Sequence, residues 1–174
     1  MPKLILTRGI PGSGKSTWAK AYIAERLGAV RINRDCLRWM VFNKPHSDDK
    51  KLEKLVKDIE RSAVLESLSR GYDVVVDDTH CVAKAILEWD YTVNVRNIGQ
   101  EDDRRIQLLV VDFPISMTEA IRRDKLREHP VGAGIIRNMV KLLQEQMHDF
   151  NYETISNLIV ASKQGAKIPF TWEV

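Results

Sequence analysis

The sequence predicts an α/β fold, with a parallel sheet of four to five strands and helices on both faces. Short apolar, β-branched runs alternate along the chain with segments of helical periodicity, a pattern typical of βαβ units. The first such run, 3–7, leads directly into a glycine-rich loop and then into a helix-compatible segment. No linker, low-complexity tract or internal repeat divides the 174 residues, so we expect a single domain over 1–174.

The individual elements are predicted from local signals in the order of the chain. Gly28 and Gly71 favour helix ends, and Ser116 with Glu119 forms a capping box that favours a helix start. The predicted strands are 3–7, 29–33, 73–77, 106–111 and 158–161. The predicted helical segments are 18–28, 34–40, 49–71, 82–95, 118–126 and 136–147. The tail, 163–174, is predicted to be a loop or an edge strand.

The glycine-rich loop at 9–17 matches G-x-x-x-x-G-K-[ST], the phosphate-binding P-loop. Backbone N–H groups of such a loop converge on the β-phosphate, and the next helix presents its positive N-terminus. We expect Lys15 to reach the β- and γ-phosphates of ATP, or of another nucleoside triphosphate, and the Ser16 hydroxyl to bind Mg²⁺. The alternative is a glycine-rich turn with no ligand. The residues predicted to bind the nucleotide in this loop are Gly9, Ile10, Pro11, Gly12, Ser13, Gly14, Lys15, Ser16 and Thr17.

The composition excludes several other classes of protein. The balance of 27 basic against 24 acidic residues gives a net charge of +3, which by itself does not indicate nucleic-acid binding. No apolar run is long enough for a transmembrane helix, and the N-terminus lacks the pattern of a signal peptide. Cys36 and Cys81 are far apart, so we expect free thiols and a cytoplasmic location, and the histidine spacing does not indicate zinc.

Asp35 and Arg38 follow the second strand, at the edge where ligands bind in parallel α/β sheets. A hydroxyl that attacks a γ-phosphate needs a carboxylate to take its proton, and Asp35 is the candidate general base. Arg38 lies one helical turn further on, where it can bind an acceptor phosphate bidentately. The alternative is an exposed Asp–Arg pair at a helix start, which would contribute little.

Asp77, Asp78 and Thr79 stand at the end of the third strand, beside the P-loop if the strand order is the usual one. A carboxylate there can hold a water on Mg²⁺ or orient Arg38, and a hydroxyl can contact the acceptor. We select Asp78 and Thr79 for these roles and expect Asp77 to point back toward the sheet. The alternative is strand-end capping, which is common for Asp and Thr.

Arg123 and Arg127 belong to the densest basic cluster of the chain. On a helix they are four residues apart, so both guanidinium groups leave the same side. A loop interrupted by proline and glycine follows, which predicts a mobile lid over about 118–136 that brings both arginines onto the transferred phosphoryl group. The alternative is a solvated basic face. His80 and Trp39 are weaker candidates for substrate contact.

Over about residues 1–150 the chain resembles the 5′-hydroxyl polynucleotide kinase domain of the phage type. The resemblance rests on the P-loop, an Asn-Arg-Asp-x-x-Arg element, an Asp-Thr pair and the two lid arginines. They stand in the family's order at 9–19, 32–38, 78–79 and 123–127, with Ile-Arg-x-Met at 136–139.

The resemblance implies a role for each of these elements. Asp35 would be the general base on the 5′-OH of DNA or RNA, Arg38 would bind the acceptor's 3′-phosphate, and Asp78 would support that site. The P-loop lysine and serine would handle donor phosphates and Mg²⁺, and the two lid arginines the ATP phosphates. His80 stands where the family usually has Asn, and the loop after Arg127 differs in length and glycine content.

Phage enzymes of this kind often carry a C-terminal 3′-phosphatase with an Asp-x-Asp-x-Thr motif, which this sequence lacks. The resemblance therefore implies a kinase-only protein, or one module of a split repair system with a separate 3′-phosphatase or ligase as partner. For a phage-encoded protein the location would be the cytoplasm of the host.

Two other functions stay open. A P-loop kinase of a small hydroxyl acceptor, such as a sugar acid, nucleoside or cell-wall precursor, would need an enclosed pocket, whereas a polynucleotide needs an open channel lined with Arg and Lys. A nucleotide-binding regulator would have no need of Asp35 as a base. The sequence does not distinguish DNA from RNA or indicate an oligomeric state.

Overall fold

The computed structural model describes residues 1–44 and 47–149. The predicted fifth strand at 158–161 and the tail lie outside the described residues. In the described part of the chain, no helix is long and apolar enough to cross a membrane. Cys36 is exposed and Cys81 is buried, and both are free thiols.

The described residues form a parallel sheet of four strands, in the order β2-β3-β1-β4. β1 lies at the centre, where Leu4 is paired with Val74 of β3 and with Leu108 of β4. This order places the ends of β1 and β3 side by side, as the sequence predicts. The strand bounds are β1 (Lys3–Arg8), β2 (Ala29–Ile32), β3 (Asp73–Val76) and β4 (Gln107–Asp112).

Six α-helices accompany the sheet in this part of the chain, and a 3₁₀ turn, Asp102–Arg104, precedes β4. Asn33, Asp49 and Ser116 cap three of them by accepting backbone N–H bonds in the first turn, which stabilises each helix start. The helices are α1 (Lys15–Ala24), α2 (Arg34–Phe42), α3 (Lys50–Ser69), α4 (Ala83–Asn97), α5 (Met117–Asp124) and α6 (Ala133–Asp149).

The strands alternate their side chains between two apolar cores, which confirms helices on both faces of the sheet. Leu4, Leu6, Val74 and Val76 pack against residues of α3 and α4 on one face. On the other face, a second cluster joins strand residues to α1 and to Phe113, which follows β4: Ile5, Val75, Val111, Phe113 and Ala19. Because successive strand residues point to opposite faces, this arrangement determines which side of the sheet each strand-end residue approaches.

A third apolar cluster lies at the carboxyl edge of the sheet and joins the P-loop to the lid. Ile10 of the loop, Ala120 of α5 and Ile136 of α6 are all fully buried there. The predicted helix 118–126 ends earlier, at Asp124, because the chain then turns with i→i+3 bonds such as Arg127 N–H to the Asp124 carbonyl. The structure thus corrects the premise that Arg123 and Arg127 share one helix face.

Candidate active site

The P-loop is held tightly between neighbouring backbone segments. Gly9 donates its N–H to the Thr79 carbonyl at 2.9 Å, which fixes the loop against the end of β3. Gly12 has a φ of +83°, and an added Cβ would lie 2.8 Å from the Ala120 carbonyl oxygen of α5. Gly14 has a φ of +93° immediately before α1. Glycine is required at Gly12 both by its backbone conformation and by the close approach of α5.

Lys15 is the buried cation of this loop, with 7% of its surface exposed. Its ammonium group donates to the Ile10 carbonyl at 2.9 Å and to Ser13 Oγ at 3.4 Å, so it points into the loop. Burial lowers the pKa of Lys15, and the nearby Asp77 carboxylate opposes that change. A buried ammonium surrounded by loop backbone fits the phosphate chain of a nucleotide, which would supply anionic oxygens at this point.

Ser16 and Asp77 form the part of the site that fits a magnesium ion. The Ser16 hydroxyl donates to Asp77 Oδ1 at 3.1 Å, and Arg31 Nε donates to Asp77 Oδ2 at 2.8 Å. A serine hydroxyl and a strand-end carboxylate are the donor pair that holds Mg²⁺ in P-loop proteins. The expectation that Asp77 points back toward the sheet is wrong, because its side chain reaches the start of α1.

Asp35 and Arg38 lie on α2, as the sequence predicts, and contact each other. Arg38 Nη1 donates to Asp35 Oδ1 at 2.7 Å, while Glu53 of α3 accepts from Arg38 Nε at 2.9 Å and from Nη2 at 2.8 Å. The Asp35 side chain is 62% exposed, whereas that of Arg38 is only 16% exposed. Glu53 therefore orients the guanidinium, and the Asp35 carboxylate stays accessible to a substrate.

Asp78 contacts a different arginine from the one expected. Its Oδ2 lies 3.2 Å from Nε of Arg34, and the same Nε donates to Glu60 Oε2 at 2.8 Å. The prediction that Asp78 can orient Arg38 therefore needs a correction, because Asp78 pairs with the preceding arginine of α2. Arg34 directly precedes Asp35 in the sequence, and its guanidinium pairs with two acidic side chains, those of Asp78 and Glu60.

Glu60 is the second of these acids and lies inside the apolar stripe of α3, with 1% of its surface exposed. Burial, together with the neighbouring Asp78 carboxylate, raises the pKa of Glu60 to about 8. Glu60 Oε1 and Asp78 Oδ2 receive no hydrogen bond within the described residues. A protonated Glu60 would be able to donate a hydrogen bond to the neighbouring Asp78 carboxylate, beneath Arg34.

Thr79 and His80 continue from the end of β3 along the site. The Thr79 carbonyl accepts from Gly9, so this residue supports the P-loop through its backbone. His80 is buried, adopts a positive φ of 40°, and its Nδ1 donates to the Thr7 carbonyl at 2.8 Å. Its Nε2 is buried without a hydrogen-bond partner among the described residues, and burial lowers the pKa of the ring.

The lid arginines sit on a segment that is anchored by a buried acid. Asp124 accepts the backbone N–H of Val131 at 3.2 Å and that of Gly132 at 2.9 Å, and it also pairs with Arg127 at 3.4 Å. Arg123 donates to the Gly12 carbonyl of the P-loop at 3.4 Å. Both guanidinium groups are thus held near the P-loop although only Arg123 lies on α5.

Trp39 provides a second contact between the lid and α2. Its ring centroid lies 5.6 Å from that of His129, with 34° between the ring planes. Trp39 is 41% exposed, so the pair stands at the surface beside Arg38. This contact links the acceptor side of the site to the loop that follows the lid arginines.

One cavity of about 640 Å³ collects these groups. It is lined by P-loop residues, by the start of α2, by the end of β3 and by the lid arginines. All six residues predicted to be catalytic line it: Lys15, Asp35, Arg38, Asp78, Arg123 and Arg127. Of the other predicted binding residues, Thr79 lines it as well, whereas Gly9, Ile10 and Ser13 do not. The arrangement can hold a triphosphate on Lys15 and a hydroxyl acceptor on Asp35 within one space.

The cavity lining also includes polar residues that were not predicted as site residues, among them Asn33, Arg34 and Asp77. Alternation along β3 could have identified Asp77, because it shares a face with Val75, which packs toward α1. Asn33 is the N-cap of α2, and its amide also donates to the Asp77 carbonyl, which joins β2 to β3. Arg34 belongs to the Asn-Arg-Asp-x-x-Arg element that carries the family resemblance, but that resemblance assigned it no role.

The sequence profile of the AAA domain family matches residues 4–145. The chain belongs to the AAA domain family. The match runs from β1 into α6 and so includes every element that contributes a side chain to the cavity.

Solved structures with this architecture include two chains of RNA repair complexes. This AAA domain is similar to a chain in the Pnkp1/Rnl/Hen1 RNA repair complex, with 24% identity, a TM-score of 0.73, and coverage of 87% of this chain and 47% of that one. A chain in a further Pnkp1/Rnl/Hen1 structure gives 25% identity and a TM-score of 0.60, with 75% and 40% coverage. The chain therefore spans about half, or less, of the length of these matched chains.

A third similar structure comes from the PezAT chromosomal toxin-antitoxin system of Streptococcus pneumoniae. It is 15% identical, with a TM-score of 0.63, and the alignment covers 95% of this chain and 70% of that chain. The family match and the structural similarities together confirm the predicted P-loop kinase fold.

Proposed function

We propose that this protein is an ATP-dependent phosphotransferase that moves the γ-phosphate to the 5′-OH end of a polynucleotide. The observation that carries the proposal is the single cavity that contains both the buried Lys15 and the accessible Asp35. A nucleotide switch needs a P-loop lysine such as Lys15 but does not need a proton-accepting carboxylate such as Asp35. A carboxylate that faces the same space as a P-loop is the arrangement that hydroxyl phosphorylation requires.

On the donor side, Lys15 would bind β- and γ-phosphate oxygens, and Arg123 and Arg127 would neutralise the charge that develops on the transferred group. Ser16 and Asp77 would hold Mg²⁺, which would neutralise phosphate charge and so lower the cost of bringing the nucleophile close to the γ-phosphate. Arg31 fixes the Asp77 carboxylate through a hydrogen bond of 2.8 Å, so its position does not depend on the nucleotide.

On the acceptor side, Asp35 would accept the proton of the 5′-OH as its oxygen attacks the γ-phosphorus. The new O–P bond forms as the bond between the γ-phosphorus and the bridging oxygen of ADP breaks, and ADP leaves with that electron pair. Arg38, oriented by Glu53, would bind the 3′-phosphate of the same nucleotide. A mononucleotide with this phosphate would then be the smallest complete acceptor.

The similarity to chains of RNA repair complexes supports a nucleic-acid acceptor. It also supports a place among separate repair proteins, such as a 3′-phosphatase or a ligase. The similarity extends over half or less of those chains, so their further activities are not assigned to this domain.

The test is transfer of labelled γ-phosphate from ATP and Mg²⁺ to a single-stranded oligonucleotide with a free 5′-OH, run with DNA and RNA side by side. The same oligonucleotide carrying a 5′-phosphate is the control, and it should accept no label. Transfer only to a small hydroxyl compound would instead favour a small-molecule kinase, and ATP binding without any transfer would favour a regulator.

Replacement of the base is the matched mutational test. Asp35→Asn should lower kcat by about 10²–10⁴-fold, because the acceptor hydroxyl loses its proton acceptor. ATP binding should stay near the wild-type level, since Asp35 lies outside the P-loop. Undiminished transfer by this variant would contradict the mechanism for any substrate.

A further inference from the structure

A second, smaller cavity of about 270 Å³ lies between α3 and α4. Three residues line both this cavity and the catalytic cavity: Arg34, Val82 and Ala85. The two spaces are therefore neighbours across one wall that is formed by the start of α2 and the start of α4. A strand that extended beyond the catalytic cavity past Arg34 would therefore reach the second cavity.

The second cavity is basic. Its cations are Arg34, Lys57, Arg61 and Lys84, and its acids are Glu60 and Glu88. Four cations against two acids leave this lining with an excess of positive charge, and burial raises the pKa of Glu60, which adds to that excess.

The cations differ in how firmly they are held. Arg61 donates to Thr92 Oγ1 at 2.6 Å and lies 5.8 Å from the Trp89 ring centroid, so it is part of the packing between the helices. Lys57 pairs with Glu88 across the cavity at 2.8 Å, with about half of its side chain exposed, and Lys84 is exposed. Both lysines lie at the exposed rim of the cavity, Lys57 in its ion pair with Glu88, whereas Arg61 is part of the packing between the helices.

We propose that this second cavity binds a backbone phosphate of the acceptor strand, one or more nucleotides beyond the nucleotide held by Asp35 and Arg38. The inference depends on the proposed function and extends it from the end of the strand to its path. A phosphodiester supplies the single delocalised negative charge that a cavity with an excess of cations favours. A small-molecule acceptor would leave this cavity without a role, because it lies beyond the wall of the catalytic space.

The test compares a short and a long acceptor on a variant of the cavity rim. Lys57→Ala combined with Lys84→Ala removes two exposed cations, neither of which lines the catalytic cavity. With a nucleoside 3′-monophosphate, kcat and KM should match the wild type. With a single-stranded oligonucleotide, KM should rise by about 10-fold, and the slope of log(kcat/KM) against log salt should become shallower by about 0.7 for each strand phosphate that loses its contact.

Lys20→Ala combined with Lys51→Ala is the control, since it removes two exposed helical lysines that line neither cavity. It should leave KM for both acceptors unchanged, and equal thermal midpoints of the two double variants verify folding. Equal KM values of the rim variant and the control with the oligonucleotide would overturn the inference. So would an equal loss with both acceptors, because the lysines would then act on the catalytic cavity.

Two further outcomes separate the alternatives. If inorganic phosphate inhibits the wild type but not the rim variant, while oligonucleotide KM is the same for both, the occupant is a free anion and the inference is wrong. If the wild type transfers phosphate to no oligonucleotide of any length, the proposed function fails first and the inference falls with it.

Discussion

The buried acid beneath Arg34 makes stability depend on pH in an unusual direction. Glu60 has a pKa of about 8 in the folded protein against an ordinary value of 4.5. Between these values the folded chain keeps a proton that the unfolded chain releases, so the free energy of unfolding falls as the pH rises. This stability is fully present below pH 4.5 and is lost as the pH rises to about 8. The loss amounts to about 1.4 kcal/mol per pH unit.

Glu60→Gln removes this dependence, because glutamine is neutral at every pH and resembles the protonated acid. Its amide oxygen can accept from Arg34, and its NH₂ group can donate to Asp78. From about pH 5.5 to about pH 7.5, the wild type should lose about 2–3 kcal/mol relative to the variant. Groups common to both proteins cancel in this difference.

Urea denaturation of the wild type and of Glu60→Gln at about pH 5.5 and about pH 7.5 measures this difference in the free energy of unfolding. Glu66→Gln is the control, since Glu66 is an exposed acid of the same helix that pairs with Arg70 on the surface. The difference in the free energy of unfolding between Glu66→Gln and the wild type should change little with pH. A Glu60→Gln difference that stays constant, or that shrinks as the pH rises, would refute the assignment of a neutral Glu60.

Two more predictions concern the donor side. Asp77→Asn should raise the Mg²⁺ concentration needed for half-maximal binding of ATP, and an unchanged Mg²⁺ titration by calorimetry would contradict the metal assignment. It should also lower stability by up to about 3 kcal/mol, because it leaves the half-buried Arg31 guanidinium without its carboxylate partner. Gly12→Ala should cost about 1–3 kcal/mol and weaken ATP binding, because the new Cβ would meet the Ala120 carbonyl at 2.8 Å with φ at +83°. Gly99 has a φ of +73° but open space around an added Cβ, so Gly99→Ala is the control for backbone strain alone. If Gly99→Ala lowered the thermal midpoint as much as Gly12→Ala does, the clash would be refuted.

The fold was predictable because its signals are local. Continuous β-branched runs, capping residues such as Asn33 and Ser116, and the glycines of the P-loop each act within a few residues, and the structure has the corresponding elements. The P-loop also marked the active edge of the sheet, which brought Asp35 and Arg123 into consideration. Both line the catalytic cavity, although the chain separates them by most of its described length.

The errors arose where the orientation of a side chain depends on a distant element. Alternation along β3 puts Asp77 on the face of Val75 and Asp78 on the face of Val76, but which of these faces α1 covers is seen only in the clusters of the folded chain. Glu60 was missed for a related reason. The helical spacing of apolar residues predicted a face of Leu52, Leu55, Val56, Ile59 and Ala63. The buried residues of α3 are Val56, Glu60, Val64 and Leu68.

The buried acids and the acceptor path are connected through one residue. Arg34 lines both cavities, and the two carboxyl groups that hold it, Glu60 and Asp78, lie below the wall between them. The raised pKa of Glu60 favours its neutral form near pH 7, and the Asp78 carboxylate then supplies the negative charge that pairs with the Arg34 guanidinium. If both were ionised above about pH 8, Arg34 would be drawn more strongly toward them and away from a strand phosphate. If a strand follows the proposed path, a protonated Glu60 would keep Arg34 in position without placing a second negative charge beside a strand phosphate, which neither an apolar residue nor a charged acid at position 60 would do.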